Sequence, residues 1–214
     1  MKVFWVLLYN VFIYPLIFGV ALVISIFDEK LRKSILGKFK SISLLKQYFK
    51  EFNEPPIIYW FHAASLGEFH QVKPVIEGLK EVRDDIKIIV SFSSPSGYEN
   101  SLNESIDLKI YAPFDFPWSI IKALNIMRPR KIIFASYDIW PNMIWLAKIK
   151  GIYTNIFAAR VKHRSPKLRP VLKQFYKSMY ASISSIYTVS ETDSVGINTI
   201  LGLNSSPFVK VLGN

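Results

Sequence analysis

The stretch Trp60-Phe61-His62-Ala63-Ala64-Ser65-Leu66-Gly67-Glu68 decides the fold. A β-rich apolar run over 57–61 ends abruptly in small residues. Gly67 permits a tight turn, and Glu68 opens an amphipathic segment. A carboxylate at a strand-to-helix turn stands where open α/β sheets place their chemistry. The helix N-terminus favours its ionised form, which suits a general base. The position equally suits a first-turn acid that only complements the helix dipole.

Outward from this turn, strand and helix patterns alternate. Strands are expected at 57–61, 86–92, 108–111, 131–135, 153–157, 185–189 and 208–211. Helices are expected at 68–82, 96–103, 117–127, 140–150, 166–182 and 191–201. Strands separated by helical segments imply βαβ units, right-handed crossovers and a mainly parallel, Rossmann-like sheet with helices on both faces. The expected carboxyl edge carries His62 to Glu68, Ser93 to Gly97, Ser136 to Asn142 and Ala159 to Ser165. The opposite edge carries ordinary turns, Arg83-Asp84-Asp85 and Arg128-Pro129-Arg130. That asymmetry is what a crevice at the carboxyl edge predicts.

Upstream, residues 3–27 hold no charge. A helix of that length reaches about 37 Å, enough to cross a hydrocarbon core of roughly 30 Å. No small-residue cleavage site follows, so an uncleaved membrane anchor over 1–28 is expected. A monotopic hairpin around Pro15 is the alternative. Residues 29–56 read as a basic amphipathic helix with the stripe Leu31, Ile35, Phe39, Ile42, Leu45 and Phe49, then the linker Asn53-Glu54-Pro55-Pro56. The net charge of +11 is concentrated in this segment and in 160–177. Beside an uncharged run, basic blocks favour an anionic membrane surface over nucleic acid, and the basic excess places the bulk of the protein in the cytoplasm.

With no cysteine, disulfides, thiolate metal sites and a cysteine nucleophile are excluded, and three histidines at unrelated spacings make no metal cluster. Neither a GxGxxG nor a GxxxxGK[ST] pattern is present, which argues against a nucleotide-dependent oxidoreductase and a P-loop NTPase. Ser93 to Gly97 offers amides and hydroxyls to a phosphate or sugar, or else Ser94 or Ser96 simply caps a helix. Asp138 reads as a cap or a second site carboxylate. Arg160, Lys162, His163 and Arg164 suit a phosphate or form a solvated loop. His62 reads as a satisfied, half-buried histidine.

In order and spacing, these stretches resemble the N-terminal half of the Kdo (3-deoxy-D-manno-octulosonic acid) transferases. The resemblance rests on the N-terminal anchor, His62-Ala-Ala-Ser-Leu-Gly-Glu68, Ser94-Pro-Ser-Gly97, Tyr111-Ala-Pro-Phe-Asp115-Phe-Pro117, Trp140-Pro-Asn142, Ala159-Arg160, Arg164-Ser165, Val189-Ser-Glu191-Thr192 and Val211-Leu-Gly-Asn214. It implies one half of a GT-B glycosyltransferase. Residues 57–214 would be a Rossmann-like acceptor-binding domain, and the domain that binds the sugar nucleotide CMP-Kdo is absent. The acceptor would be a lipid A precursor on the cytoplasmic face of the inner membrane, with no cofactor and no metal. Glu68 would be the general base. Ser94, Ser96 and Gly97 would line the acceptor cleft, Asp138 and Asn142 would position the sugar, and Arg160 and Arg164 would hold acceptor phosphate. A separately encoded donor-domain partner would complete the enzyme. Two departures stand out: the family's Glu-x-Glu-Leu-Trp-Pro-Asn reads Ser136-Tyr-Asp138-Ile-Trp-Pro-Asn142 here, and the chain ends near the family's inter-domain crossover. Both favour the competing expectation, a non-catalytic membrane-surface module that binds phosphorylated lipid.

Overall fold

The computed structural model describes residues 2–136, 138–162, 165–202 and 207–212. Two helical stretches, α1 (Lys2–Leu8) and α2 (Tyr14–Ile24), run on through a single π-turn, Tyr9–Ile13. A long helix, α3 (Glu29–Phe49), follows, its first turn capped by Asp28. Then come β1 (Ile57–Ala63), α4 (Leu66–Val82), β2 (Ile86–Phe92), α5 (Pro95–Asn100), β3 (Leu108–Tyr111) and α6 (Pro117–Met127). The remaining elements are β4 (Lys131–Phe134), α7 (Pro141–Ile149), β5 (Tyr153–Ala159), α8 (Pro170–Tyr180), β6 (Ser185–Thr188), α9 (Glu191–Leu201) and β7 (Phe208–Val211). A short 3-10 turn, Pro166–Leu168, breaks the single helix expected at 166–182. Pro170 lacks the amide needed to join the two pieces.

All strand pairs are parallel, in the order β3-β2-β1-β4-β5-β6-β7. The chain winds outward from β1 to β3, then returns to β4 on the other side of β1. The strand order therefore reverses between β1 and β4, where doubly wound sheets open their binding crevice. Alternate residues of β1 feed two cores. Tyr59, Phe61 and Ala63 pack under α4 with Phe69, Val72 and Ile76. Ile58 and Trp60 join the larger core on the opposite face, with Ile120, Leu124, Ile144, Trp145, Tyr180 and Ile197 of α6, α7, α8 and α9. Buried on both sides, the central strands read as continuous apolar runs.

Helix α3 belongs to this packing. Ser34, Ile35, Ser41 and Leu45 are buried, and Gly37 lies so close to the Tyr111 ring of β3 that a Cβ would overlap it. Phe39 departs from the expected stripe: it is 61 % exposed, because the helix faces the sheet through its small residues.

The N-terminal helix is laid along the domain on the side of α7 and α8. Trp5, Tyr9 and Tyr14 are buried, and Phe18 meets the rings of Phe114 and Phe116. The outer side presents Val3, Phe4, Leu7, Val11, Phe12, Leu16, Val20 and Val23 to solvent. No hairpin forms at Pro15. The wide turn before it relieves the clash and missing amide that proline brings to a regular helix.

Candidate active site at the carboxyl edge

The loops after β1, β2 and β4 bring four side chains to the crevice between β1 and β4. Glu68 stands in the first turn of α4. Its amide donates to the Ser65 hydroxyl at 3.3 Å, and its Oε2 accepts the Ala64 amide at 2.7 Å. This is a capping box shifted by one residue. It uses one carboxylate oxygen; Oε1 has no hydrogen-bond partner among the described residues. The first-turn role is therefore real, and it leaves the second oxygen available. Burial pushes the Glu68 carboxyl above its ordinary range, with the Ala64 amide opposing, the Asp138 charge adding and His62 opposing.

Asp138 lies across the crevice, after β4. Its Oδ2 is 3.4 Å from His62 Nε2 and accepts the Ser93 hydroxyl at 3.2 Å. His62 Nδ1 meets the Ser91 hydroxyl at 3.0 Å, and that hydroxyl accepts the Trp60 indole at 2.8 Å. With its proton on Nε2, His62 faces the carboxylate, and Nδ1 competes with the Phe61 carbonyl, 3.3 Å away, for the single Ser91 hydroxyl proton. Burial works to raise the Asp138 carboxyl, but His62, Ser93 and the Lys38 charge outweigh it and hold it below the usual range. Lys38 reaches in from α3, donating to the Ala112 carbonyl at 3.3 Å and sitting 5.4 Å from the Trp140 ring centroid. Burial lowers its ammonium to about 8, against the charges of Asp138 and Asp115.

A third acid, Asp115, lies close by, sensed by Lys38. Helix α7 has no side-chain cap of its own at Trp140. Asp115 caps it from outside, taking the Asn142 and Met143 amides at 3.0 Å each and the Tyr9 hydroxyl at 2.9 Å. Burial pushes its carboxyl up to about 7 despite these donors.

Of the residues expected at a site, Glu68 and Asp138 stand on loops at the same edge, and the Asp138 charge helps to raise the Glu68 carboxyl. Ser94 caps α5, its hydroxyl accepting the Gly97 amide at 3.2 Å and meeting Ser96, which is exposed. Gly97 is buried, and a Cβ there would come within 2.7 Å of Phe92 and 3.2 Å of the Ser65 backbone. Gly97 lets α5 pack closely on the β1–α4 turn. Asn142 is engaged within the fold. It is 2 % exposed, and its amide group is spent on Asn10 and the Asp115 backbone. Ser136 is buried and turned toward the Ala158 carbonyl at 3.3 Å. Arg160 is exposed at the end of β5, on the same edge. Arg164 lies outside the described residues, as does His163.

Lys38 and Asp115 are the residues that sequence reasoning missed as site components. Ser93 lies in a stretch already singled out, though not as a partner of Asp138. Lys38 falls at helical spacing from Ser34 and Ser41, on the side of α3 that meets the sheet, and Asp115 is an acid set between two phenylalanines. Among the described residues no group of three or more histidines, cysteines or acids is arranged to hold a metal. A concavity of about 680 Å³ lies at the other edge of the sheet, lined by Arg128, Arg130 and Lys150, away from this chemistry.

Residues 36–214 match the family model described as 3-deoxy-D-manno-octulosonic-acid transferase. An Arabidopsis thaliana protein described as a probable mitochondrial 3-deoxy-D-manno-octulosonic acid transferase is 31 % identical over 160 residues, 72 % of this chain and 35 % of that protein. The 3-deoxy-D-manno-octulosonic acid transferase of Haemophilus influenzae is 29 % identical over 135 residues, 62 % of this chain and 31 % of that protein. This chain spans about a third of the length of these relatives. Among solved structures, a UDP-N-acetylglucosamine 2-epimerase superposes with a TM-score of 0.52 at 11 % identity, over 74 % of this chain and 48 % of the epimerase. The Neisseria meningitidis UDP-GlcNAc 2-epimerase gives 0.50 at 13 %, over 74 % and 46 %. At such identities the likeness establishes a Rossmann-like fold alone.

Proposed function

Because this chain belongs to the 3-deoxy-D-manno-octulosonic-acid (Kdo) transferase family, we propose that it is the acceptor-binding half of a GT-B glycosyltransferase that moves Kdo from CMP-Kdo to a lipid A precursor in lipopolysaccharide core biosynthesis. A second, donor-binding Rossmann-like half completes the cleft. The observation that supports this reading best is Glu68 at the switch point, with one oxygen anchored to Ala64 and the other unengaged. In the reaction Glu68 takes the proton of the acceptor hydroxyl as that oxygen attacks the anomeric carbon of Kdo. The bond from that carbon to the CMP phosphate breaks, and CMP leaves with the electron pair. Neither a metal nor a cofactor is required. A carboxyl raised by burial is better matched to this proton transfer than an ordinary one.

Asp138, held ionised by His62 and Ser93, accepts from a second hydroxyl of the acceptor and orients it. Ser96 flanks the cleft, and Arg160, with Arg164, binds acceptor phosphate. Asn142 has no part in acceptor contact.

The N-terminal helix seats the domain on the anionic cytoplasmic face of the inner membrane. Its docked side runs from Trp5 to Phe18, about 20 Å of helix. Beyond Phe18 the apolar run 19–27 reaches only about 13 Å, short of a hydrocarbon core of roughly 30 Å. The helix therefore lies in the interface with its outer apolar side down, and the domain is monotopic.

The test is direct: the chain, a candidate donor half, CMP-Kdo and a lipid A precursor are combined on vesicles, and the lipid is weighed by mass spectrometry. A Kdo-sized mass gain supports the reading. The second reading, a non-catalytic lipid-binding module, is favoured by Ser136, a buried serine where the family places an acid. Precursor binding without mass gain with every candidate donor half supports that reading instead.

A further inference from the structure

The N-terminal helix is bonded to the loop that carries Asp138. The Tyr9 hydroxyl donates to Asp115 Oδ2 at 2.9 Å, and the Tyr14 hydroxyl accepts the Asp115 amide at 2.6 Å. Asn10 and Asn142 pair reciprocally, at 2.8 and 3.1 Å. Asp115 in turn holds the first turn of α7 through the Asn142 and Met143 amides. Asp138 stands only three residues before that turn.

The π-turn makes this docking possible. In a regular α-helix, residues five apart point about 140° away from each other. Here the Tyr14 amide bonds to the Tyr9 carbonyl, five residues back, and both tyrosines reach the same aspartate. π-turns are uncommon and concentrate at functional positions. A tether would need only the apolar outer side of the helix. Nothing about membrane attachment calls for three polar side chains, two of them buried, aimed at Asp115 and Asn142.

We propose that Tyr9, Asn10 and Tyr14 are positioning residues: the docked N-terminal helix fixes the start of α7, and with it the placement of Asp138 at the cleft. The membrane helix is then a working part of the site as well as its seat. This inference rests on the carboxyl-edge site of the proposed transferase, and it is tested in a way that does not depend on turnover.

The measurement is amide hydrogen exchange of the full chain on phosphatidylglycerol-containing vesicles. Its variants are Tyr9→Phe with Tyr14→Phe, and Asn10→Ala, with Leu7→Gln on the exposed side of the helix as control. Exchange over 138–143 should rise at least tenfold in the first two and stay unchanged in the control. Protection of 57–63 and 86–92 should be unaltered in all, and vesicle binding should be unaltered in the first two. Unchanged protection over 138–143 overturns the proposal. So does a rise spread equally over β1 and β2, which marks loss of global stability. In the assembled enzyme kcat should fall at least tenfold with the KM for CMP-Kdo unchanged. A wild-type chain that shows no transfer refutes the transferase reading, while the exchange result still decides the positioning role.

Discussion

His62 and Asp138 meet across the topological switch point, with Nε2 3.4 Å from Oδ2. One comes from the end of β1 and the other follows β4, so the pair exists only because the chain reverses its winding between those neighbouring strands. The contact orients a carboxylate whose side chain is 31 % exposed at the mouth of the crevice.

His62 is expected to keep the Asp138 carboxyl low. A carboxyl whose folded pKa lies below its unfolded value contributes stability above about pH 4. That stability is lost as pH falls through the depressed value. In His62→Phe, carbon-13 NMR should show Asp138 titrating at higher pH than in the wild type. An unmoved titration would show that His62 does not set the charge of Asp138.

Asp115 should work in the opposite sense. Its folded carboxyl is raised to about 7, so between about pH 4 and 7 the folded chain holds a proton that the unfolded chain has released. Its contribution is complete below about pH 4 and lost as pH rises through about 7. The wild-type urea midpoint should therefore drop between pH 5 and pH 8, and Asp115→Asn should flatten that drop. Asp115→Ala, which strands the Asn142 and Met143 amides, should cost about 2–4 kcal/mol. Equal pH slopes in wild type and Asp115→Asn would contradict this assignment.

Gly97→Ala should destabilise by about 1–3 kcal/mol, because the added methyl overlaps Phe92 and presses on the Ser65 backbone. A thermal melt within one degree of wild type would mean that α5 is free to shift and that Gly97 needs another explanation.

Membrane seating should depend on the outer side of the N-terminal helix. Phe12 is 66 % and Leu16 is 70 % exposed there. Phe12→Ser or Leu16→Ser should weaken vesicle partitioning roughly tenfold, the value of one buried apolar side chain. Sedimentation with anionic vesicles measures this. Wild-type partitioning of the double variant would place the contact elsewhere.

Much of this architecture was legible before any coordinates. Strands β2, β3 and β7 and helices α6 and α9 fall on the expected residues, because apolar runs bounded by Pro, Gly or Ser leave little choice of boundary. The carboxyl-edge placement of Glu68 and Asp138 followed from the strand–helix alternation and the polar loops at one edge; the reversal between β1 and β4 is seen only in the strand order. What stayed hidden was the use of polar side chains in long-range packing. Asn142 looked like a ligand contact, but its partner, Asn10, lies 132 residues away inside an apolar run. Phe39 shared a stripe expected to lie against the membrane or the domain. Ile35 and Leu45 of that stripe are buried, but small residues bring α3 close to the sheet and leave Phe39 exposed. The π-turn left no mark that a 3.6-residue period could reveal.

The central claim is that Glu68 removes the acceptor proton, and the most direct measurement is single-turnover transfer by Glu68→Gln beside wild type in the assembled enzyme. Glutamine preserves the Ala64 hydrogen bond and the vesicle seat but cannot take a proton. The rate should fall by about 10²–10⁴ while acceptor binding persists. Turnover by Glu68→Gln at the wild-type rate would contradict the account.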